Sequence, residues 1–251
     1  MKFKTVEIVV VATPVPAEFT ADGSKRFEPT GNFVVAEKLI PPPILVPALA
    51  GGGLEFHYYN FGVVDYPLSI NADDMVDASQ SLWTSWEVSS DQSNVSFVVR
   101  PGVMFHNGVE LEAEDIAWSY NNAVREGSRF YGVTNIGWMD RVEATGSHSG
   151  ALHFTEFNPK WAEQISNIST HNIWIASKKL FDEKGETGGA DTMIGTGPYS
   201  VISWAADESV RLVATGEHYR VQPETQYMEI VSIPEPLALQ AAFLTGEVDI
   251  A

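Results

Sequence analysis

The chain has 251 residues, with 33 acidic against 15 basic side chains, a formal net charge of −18, 44% hydrophobic residues and no cysteine. That is enough length for one large domain or two small ones, and enough apolar surface for a proper core. It excludes disulfide frameworks, cysteine nucleophiles and cysteine-based zinc sites, and the acidic excess argues against nucleic acid, whose phosphates need clustered Lys and Arg.

Lys2 and Lys4 precede a short apolar run, Val6 to Ala12, interrupted by Glu7. The run is too short and too acidic for an export signal. Residues 1–30 read as a polar, proline-punctuated tether or the remnant of an export segment. No stretch reaches the roughly 18 apolar residues of a membrane span. GNFVVAEKL, residues 31–39, is the first expected strand. IPPPILVPALAGGG then holds four prolines and three glycines, which forbid regular structure. The aromatic LEFHYYNFGVVDYPLSI that follows fits a helix or a strand.

Trp86 and Val88, then Val95, Phe97 and Val99, alternate with polar residues and predict a strand pair about the turn 89–94. Pro101-Gly102 and Asn107-Gly108 mark two further tight turns, the second suited to positive φ. A helix is expected over VELEAEDIAWSYNNAVREG: acidic Glu112, Glu114 and Asp115 open it, Ile116, Ala117, Tyr120 and Val124 recur at helical spacing, and Gly127 ends it. RVEATGSHSGALHFTEF predicts a hairpin turning at 146–150, PKWAEQISNI a short helix with Pro159 in its first turn, and IWIASKKLFDEKGE a strand end running into a helix. Two strands follow around Ala205-Ala206-Asp207-Glu208, then QYMEIVSI as a strand, then a helix and a strand start. The last four residues, Val248 to Ala251, end in mid-strand and read as a cut chain. Hairpins mixed with helices argue a mixed α and β protein.

Chemistry along the chain is sparse. The six histidines (His57, His106, His148, His153, His171, His218) are scattered, with no His-x-x-x-His pair. His106 reads as structural. Glu112, Glu114 and Asp115 read as a solvated acidic first turn rather than paired catalytic carboxylates. Gly195-Thr196-Gly197-Pro198 lacks the Lys and Ser/Thr of a phosphate loop, and backbone flexibility at a strand entry is its simpler use. No catalytic set, metal set or cofactor motif is visible.

Three segments in order resemble extracellular solute-binding proteins of family 5, which serve oligopeptide, dipeptide and nickel ABC importers. They are SWEVSSDQSNVSFVVRPGVMFHNGVELEAEDIAWSYNNAV, IGTGPYSVISW at 194–204, and IPEPLALQAAFLTGEVDIA at 233–251. The resemblance covers about residues 31–251. Two departures stand out. Glu112 occupies a position where the family has Thr, a better helix cap. Family members are also much longer and two-lobed, and their chains cross to the second lobe shortly after the third segment.

The resemblance implies an α/β fold with a mixed sheet: a periplasmic-binding-protein-like class II lobe with an extra α+β subdomain and the second lobe missing. Residues 31–65 with 190–251 would form the lobe core and 66–189 the inserted subdomain, after the tether 1–30. It implies a non-enzyme, free of cofactor and metal. Such a protein captures a small ligand, oligopeptide by family majority, in the periplasm or outside the cell. It is tethered to the membrane, monomeric, and delivers the ligand to an ABC permease. The loop after the first strand, Ala36 to Ile40, would face the ligand cleft. Glu37 and Lys38 are its candidate polar contacts, and Trp138 and Trp174 are candidate packing platforms. An oligosaccharide or nickel-chelate receptor, a non-binding lobe and a hydrolase are the alternatives.

Overall fold

The structure is a computed structural model that describes residues 6–7, 28–40, 48, 62–71, 73–129, 136–168, 173–190, 193–205, 207–216 and 218–250, with the backbone alone for 6–7 and 186–190. The Pro- and Gly-rich loop after residue 40 lies outside the described residues apart from Ile40 and Ala48, and so does most of 1–30. The chain divides into two compact units, residues 1–43 with 197–251, and residues 44–196. The expected boundaries differ: 44–65 and 190–196, assigned from sequence to the first unit, fall in the second.

The first unit is built on a five-stranded sheet in the order β1-β7-β8-β9-β2. Its strands are β1 (Val6–Glu7), β2 (Asn32–Glu37), β7 (Tyr199–Ala205), β8 (Ser209–Ala214) and β9 (Tyr227–Ser232). β1 pairs antiparallel with β7, so two residues of the segment read as a tether join a sheet. β7, β8 and β9 form an antiparallel meander, whereas β2 and β9 run parallel over six residue pairs, Asn32↔Tyr227 to Glu37↔Ser232. Parallel neighbours need a crossover. A second one follows β9: helix α4 (Pro236–Thr245) returns the chain so that Ile250 bridges Val35 in parallel. Gly246, at φ +74, ends α4 in the left-handed conformation that glycine adopts without a Cβ penalty. Ala242, Leu239 and Val248 pack on Val34, Ala36 and Val231. Leu237 and Leu244, on the other side of α4, are 81% and 75% exposed.

The second unit carries a four-stranded antiparallel sheet in the order β3-β4-β6-β5. These strands are β3 (Trp83–Val88), β4 (Asn94–Val99), β5 (Met139–Gly146) and β6 (Ser149–Phe154). β4 shows the period-two rule: Val95, Phe97 and Val99 are buried while Ser96 and Val98 are exposed. Phe97 lies flat on Trp83, with ring centroids 4.1 Å apart and planes 4° from parallel. Helix α1 (Ala113–Val124) packs its apolar stripe, Ile116, Ala117, Tyr120 and Ala123, into the core of this unit. The Asn121 side chain ties α1 to β5, accepting from the Val142 N–H and donating to its carbonyl, both at 2.8 Å.

Two expectations change. The short helix α2 (Trp161–Gln164) begins two residues after Pro159 and makes one turn. Residues 173–177, expected as a strand end, are buried yet join no sheet before α3 (Lys178–Ala190), which is broken at Gly185 where φ is +72. The Ile175 N–H donates to the Asp65 carbonyl at 3.4 Å, and side chains of α1 serve the backbone that follows. The Ser119 hydroxyl accepts the Ala176 N–H at 3.0 Å and donates to the Ala176 carbonyl at 3.3 Å, while Asp115 Oδ1 accepts the Lys178 N–H at 2.8 Å. The spacings match: four helical residues rise about 6 Å, and two extended residues advance about 6.6 Å. A helix face bearing Asp115 and Ser119 therefore serves an extended segment as a neighbouring strand would.

Candidate functional site

Glu37 is the last residue of β2, and Lys38 follows it. Both lie at the carboxyl end of the parallel β2–β9 pair, where ligands of open α/β sheets bind. The backbone there is held firmly: the Ile233 N–H donates to the Glu37 carbonyl at 2.7 Å, and the Ala36 N–H to Ile250 at 2.8 Å. Burial raises the Glu37 carboxyl above its ordinary value. Lys38 is exposed, and the Ser232 hydroxyl donates to its carbonyl at 3.4 Å. This end of the strand presents a partly desolvated carboxylate beside a solvated ammonium.

Trp138 and Trp174 belong to the other unit and are 8% and 2% exposed. Trp138 packs on Phe154 with ring centroids 5.7 Å apart. Both indoles are largely buried within that unit.

His106 has a definite partner. Its backbone N–H donates to the Gly195 carbonyl at 2.9 Å, and the Gly195 N–H donates back to His106 Nδ1 at 3.3 Å. One residue on, the Thr196 hydroxyl donates to Asp65 Oδ2 at 3.0 Å, with both residues 2% exposed. The Phe-His-Asn-Gly and Gly-Thr-Gly elements are thus two halves of one staple. Gly195 serves close approach, not flexibility. A Cβ there would lie 1.9 Å from the Val63 carbonyl oxygen.

The acidic first turn of α1 is not uniformly solvated. Asp115 is 7% exposed, and its Oδ2 accepts the Glu112 N–H at 2.9 Å, which makes good the weak cap at Glu112. Burial, opposed by these hydrogen bonds, holds its carboxyl above the ordinary value of 3.8. A raised folded-state pKa adds stability that is fully present below 3.8 and lost as pH rises through the folded value. The stability margin of the parent over Asp115→Asn should therefore shrink as pH rises from about 3 to 7. Urea unfolding of both proteins across that range checks it, and a margin that grew with pH would refute it. Glu114 and Lys178 border an open groove of about 600 Å³. Lys178 bonds Asp182 and lies 3.7 Å from Glu114. Bonding to Asp182 raises the Lys178 ammonium above its ordinary value. These are charges paired at a solvated rim.

Among the described residues no group of three or more His, Asp or Glu side chains can hold a metal ion, and no helix is long and apolar enough to cross a membrane. Sequence reading missed Asp115 and Ser119 as backbone acceptors, although two polar residues four apart on an otherwise apolar face carry that signal.

A parallel crossover pair beside an antiparallel meander, with a second α+β unit inserted in the chain between β2 and β7, is a fold that superposes on solved periplasmic binding proteins. The family model for bacterial extracellular solute-binding proteins, family 5 (middle region), matches residues 78–251, and the chain belongs to that family. It is 21% identical over 200 residues to heme-binding protein A of Haemophilus influenzae, covering 69% of this chain and 35% of that protein. It is 23% identical over 198 residues to the oligopeptide-binding protein OppA of Bacillus subtilis, covering 72% and 35%. Four of the five curated relatives carry dipeptide-, di/tripeptide- or oligopeptide-binding names. The fold of the binding protein MoaA from A. tumefaciens R10, solved with mannopinic acid, superposes with a TM-score of 0.75 at 24% identity, covering 88% of this chain and 44% of that one. The chain thus spans about a third of the length of the curated relatives it matches. These relatives are binding proteins, so the non-enzyme reading holds at the level of the family.

Proposed function

We propose that the chain is a ligand-capturing part of an ABC importer's solute-binding protein, working outside the membrane, taking oligopeptides and passing them to a permease. The observation that carries the reading is the family match over 78–251 on a chain whose curated relatives are mostly named for peptides. In this reading residues 1–43 with 197–251 form the lobe core and 44–196 the inserted subdomain. Capture needs a second surface closing over the ligand by a hinge, with no bond made or broken. Glu37 receives the ligand's ammonium group, because its partly buried carboxylate gains more from a cation than a fully hydrated one would. Lys38 stands beside it for a ligand carboxylate.

Thermal unfolding of the chain with mixed tri- to pentapeptides tests this. Ligand at about 100 times its dissociation constant stabilises the bound state by about 2.7 kcal/mol, so the midpoint should rise. Glu37→Gln should weaken binding about tenfold or more, since a hydrogen bond to a charged group is lost. A non-peptide ligand is the second reading, favoured by the heme-binding name of one relative and the mannopinic acid held by the solved one. A rise with heme, mannopinic acid, an oligosaccharide or a nickel chelate, and none with peptides, would select it. No rise with any of these ligands would count against ligand capture by this chain.

A further inference from the structure

Asn107-Gly108 is the single Asn-Gly pair in the sequence, and both residues are exposed. Of the pair only Gly108 has positive φ, at +80, so this is not the turn with both central residues at positive φ that Asn-Gly suits. The Gly108 N–H instead donates to the Phe105 carbonyl at 2.8 Å, closing a four-residue turn over 105–108. Asn-Gly pairs are prone to deamidate, since glycine has no side chain to keep its nitrogen from the asparagine carboxamide.

We propose that Asn107 is a deamidation site that the folded turn holds in check, and that it becomes reactive when the hairpin tip opens. The Gly108 nitrogen attacks Asn107 Cγ, forming an N–Cγ bond. The Cγ–Nδ2 bond breaks, and ammonia leaves with the proton that the Gly108 nitrogen gives up. Water then opens the imide at either carbonyl, to aspartate or isoaspartate. Two hydrogen bonds oppose the first step. The Gly108 N–H is committed to Phe105, so its proton is harder to remove, and Asn107 Oδ1 accepts the Val109 N–H at 3.1 Å, which fixes the carboxamide. Closing the imide ring breaks both. The consequence reaches past the turn. Isoaspartate inserts one extra backbone atom directly after His106, whose two hydrogen bonds hold Gly195.

The test ages the intact chain at neutral pH beside a synthetic peptide of residues 101–112, with peptide mapping and isoaspartate assay of both. Asn107 should convert about tenfold more slowly in the folded chain, reflecting the two bonds lost. Urea sufficient to unfold the chain should restore the peptide's rate. A folded-chain rate within about fivefold of the peptide's, or a rate that urea leaves unchanged, would overturn the proposal.

Discussion

Replacing Gly195 with alanine should destabilise the 44–196 unit by about 3 kcal/mol or more, at the upper end of overpacking penalties. The added Cβ would meet the Val63 carbonyl oxygen at 1.9 Å, the Val63 carbonyl carbon at 2.8 Å and Val64 Cγ1 at 3.1 Å. The first two are backbone atoms, which no rotamer change can move. The glycine cannot retreat either. His106 grips it from both sides of its peptide, and Thr196 beside it is bonded to buried Asp65. Either the Gly195 backbone or the 63–65 segment must shift, and the buried Thr196–Asp65 bond is then lost. Losing a hydrogen bond to a charged group costs roughly 1.5–3 kcal/mol. Gly137 is the control, because a Cβ there meets nothing within 4 Å. Urea unfolding followed by tryptophan fluorescence should show Gly137→Ala close to the parent and Gly195→Ala far below it. Equal midpoints for the two variants would refute the close-approach account.

Gly150→Ala should cost about 2–3 kcal/mol, and the loss should be partly reversible by a second substitution. Gly150 pairs with Phe97 across β4 and β6, and its Cβ would sit 2.3 Å from Phe97 Cζ and 2.7 Å from the Glu143 carbonyl oxygen. The phenyl ring is pinned from its other side by the parallel stack on Trp83. Phe97→Leu shortens the side chain and relieves the nearer contact, at the cost of the stack and of some buried volume. Residues in contact do not add. The double variant should therefore lose less than the two single losses together, by about 1 kcal/mol. The Glu143 contact remains, so full recovery is not expected. Strict additivity would show that Phe97 accommodates the methyl group unaided.

The predictions divide by what carries them. The two glycine variants, like the Asp115→Asn margin, depend on contacts inside one unit and hold whether or not the chain captures a ligand. The Glu37 prediction depends on the proposed function, and its failure with the glycine results intact would leave the fold account standing.

Much of the fold was legible because its signals are local. Val95, Phe97 and Val99 alternate with exposed neighbours, Ile116 and Tyr120 recur at helical spacing, and Ser147-His148 sits where one strand must turn back. Each of these patterns spans a few residues, and burial on one face is enough to enforce it. Order and spacing of three motifs carried the family, because a backbone that needs glycine or an aspartate at a set place constrains the sequence wherever that fold recurs. The strand Asn32–Glu37 was equally plain, though its parallel partner Tyr227–Ser232 lies almost 200 positions away, and no local pattern names a partner.

The tertiary structure alone decided which residues do what. Trp138 and Trp174 read as candidate ligand platforms because aromatic side chains serve both cores and sites, and only the tertiary structure shows that both are buried. Asp115 read as a solvated acid because its neighbours Glu112 and Glu114 are acidic. Its burial and its bond to the Lys178 N–H depend on a segment more than 60 residues downstream. Gly195 read as a flexible joint because nothing near it in sequence reveals the Val63 carbonyl. The sequence by itself determined the elements, their order and the family, since periodicity and turn chemistry act over a single turn or strand. The meaning of a carboxylate, an indole or a glycine is set by what the fold brings within about 4 Å of it, where packing and hydrogen bonding act.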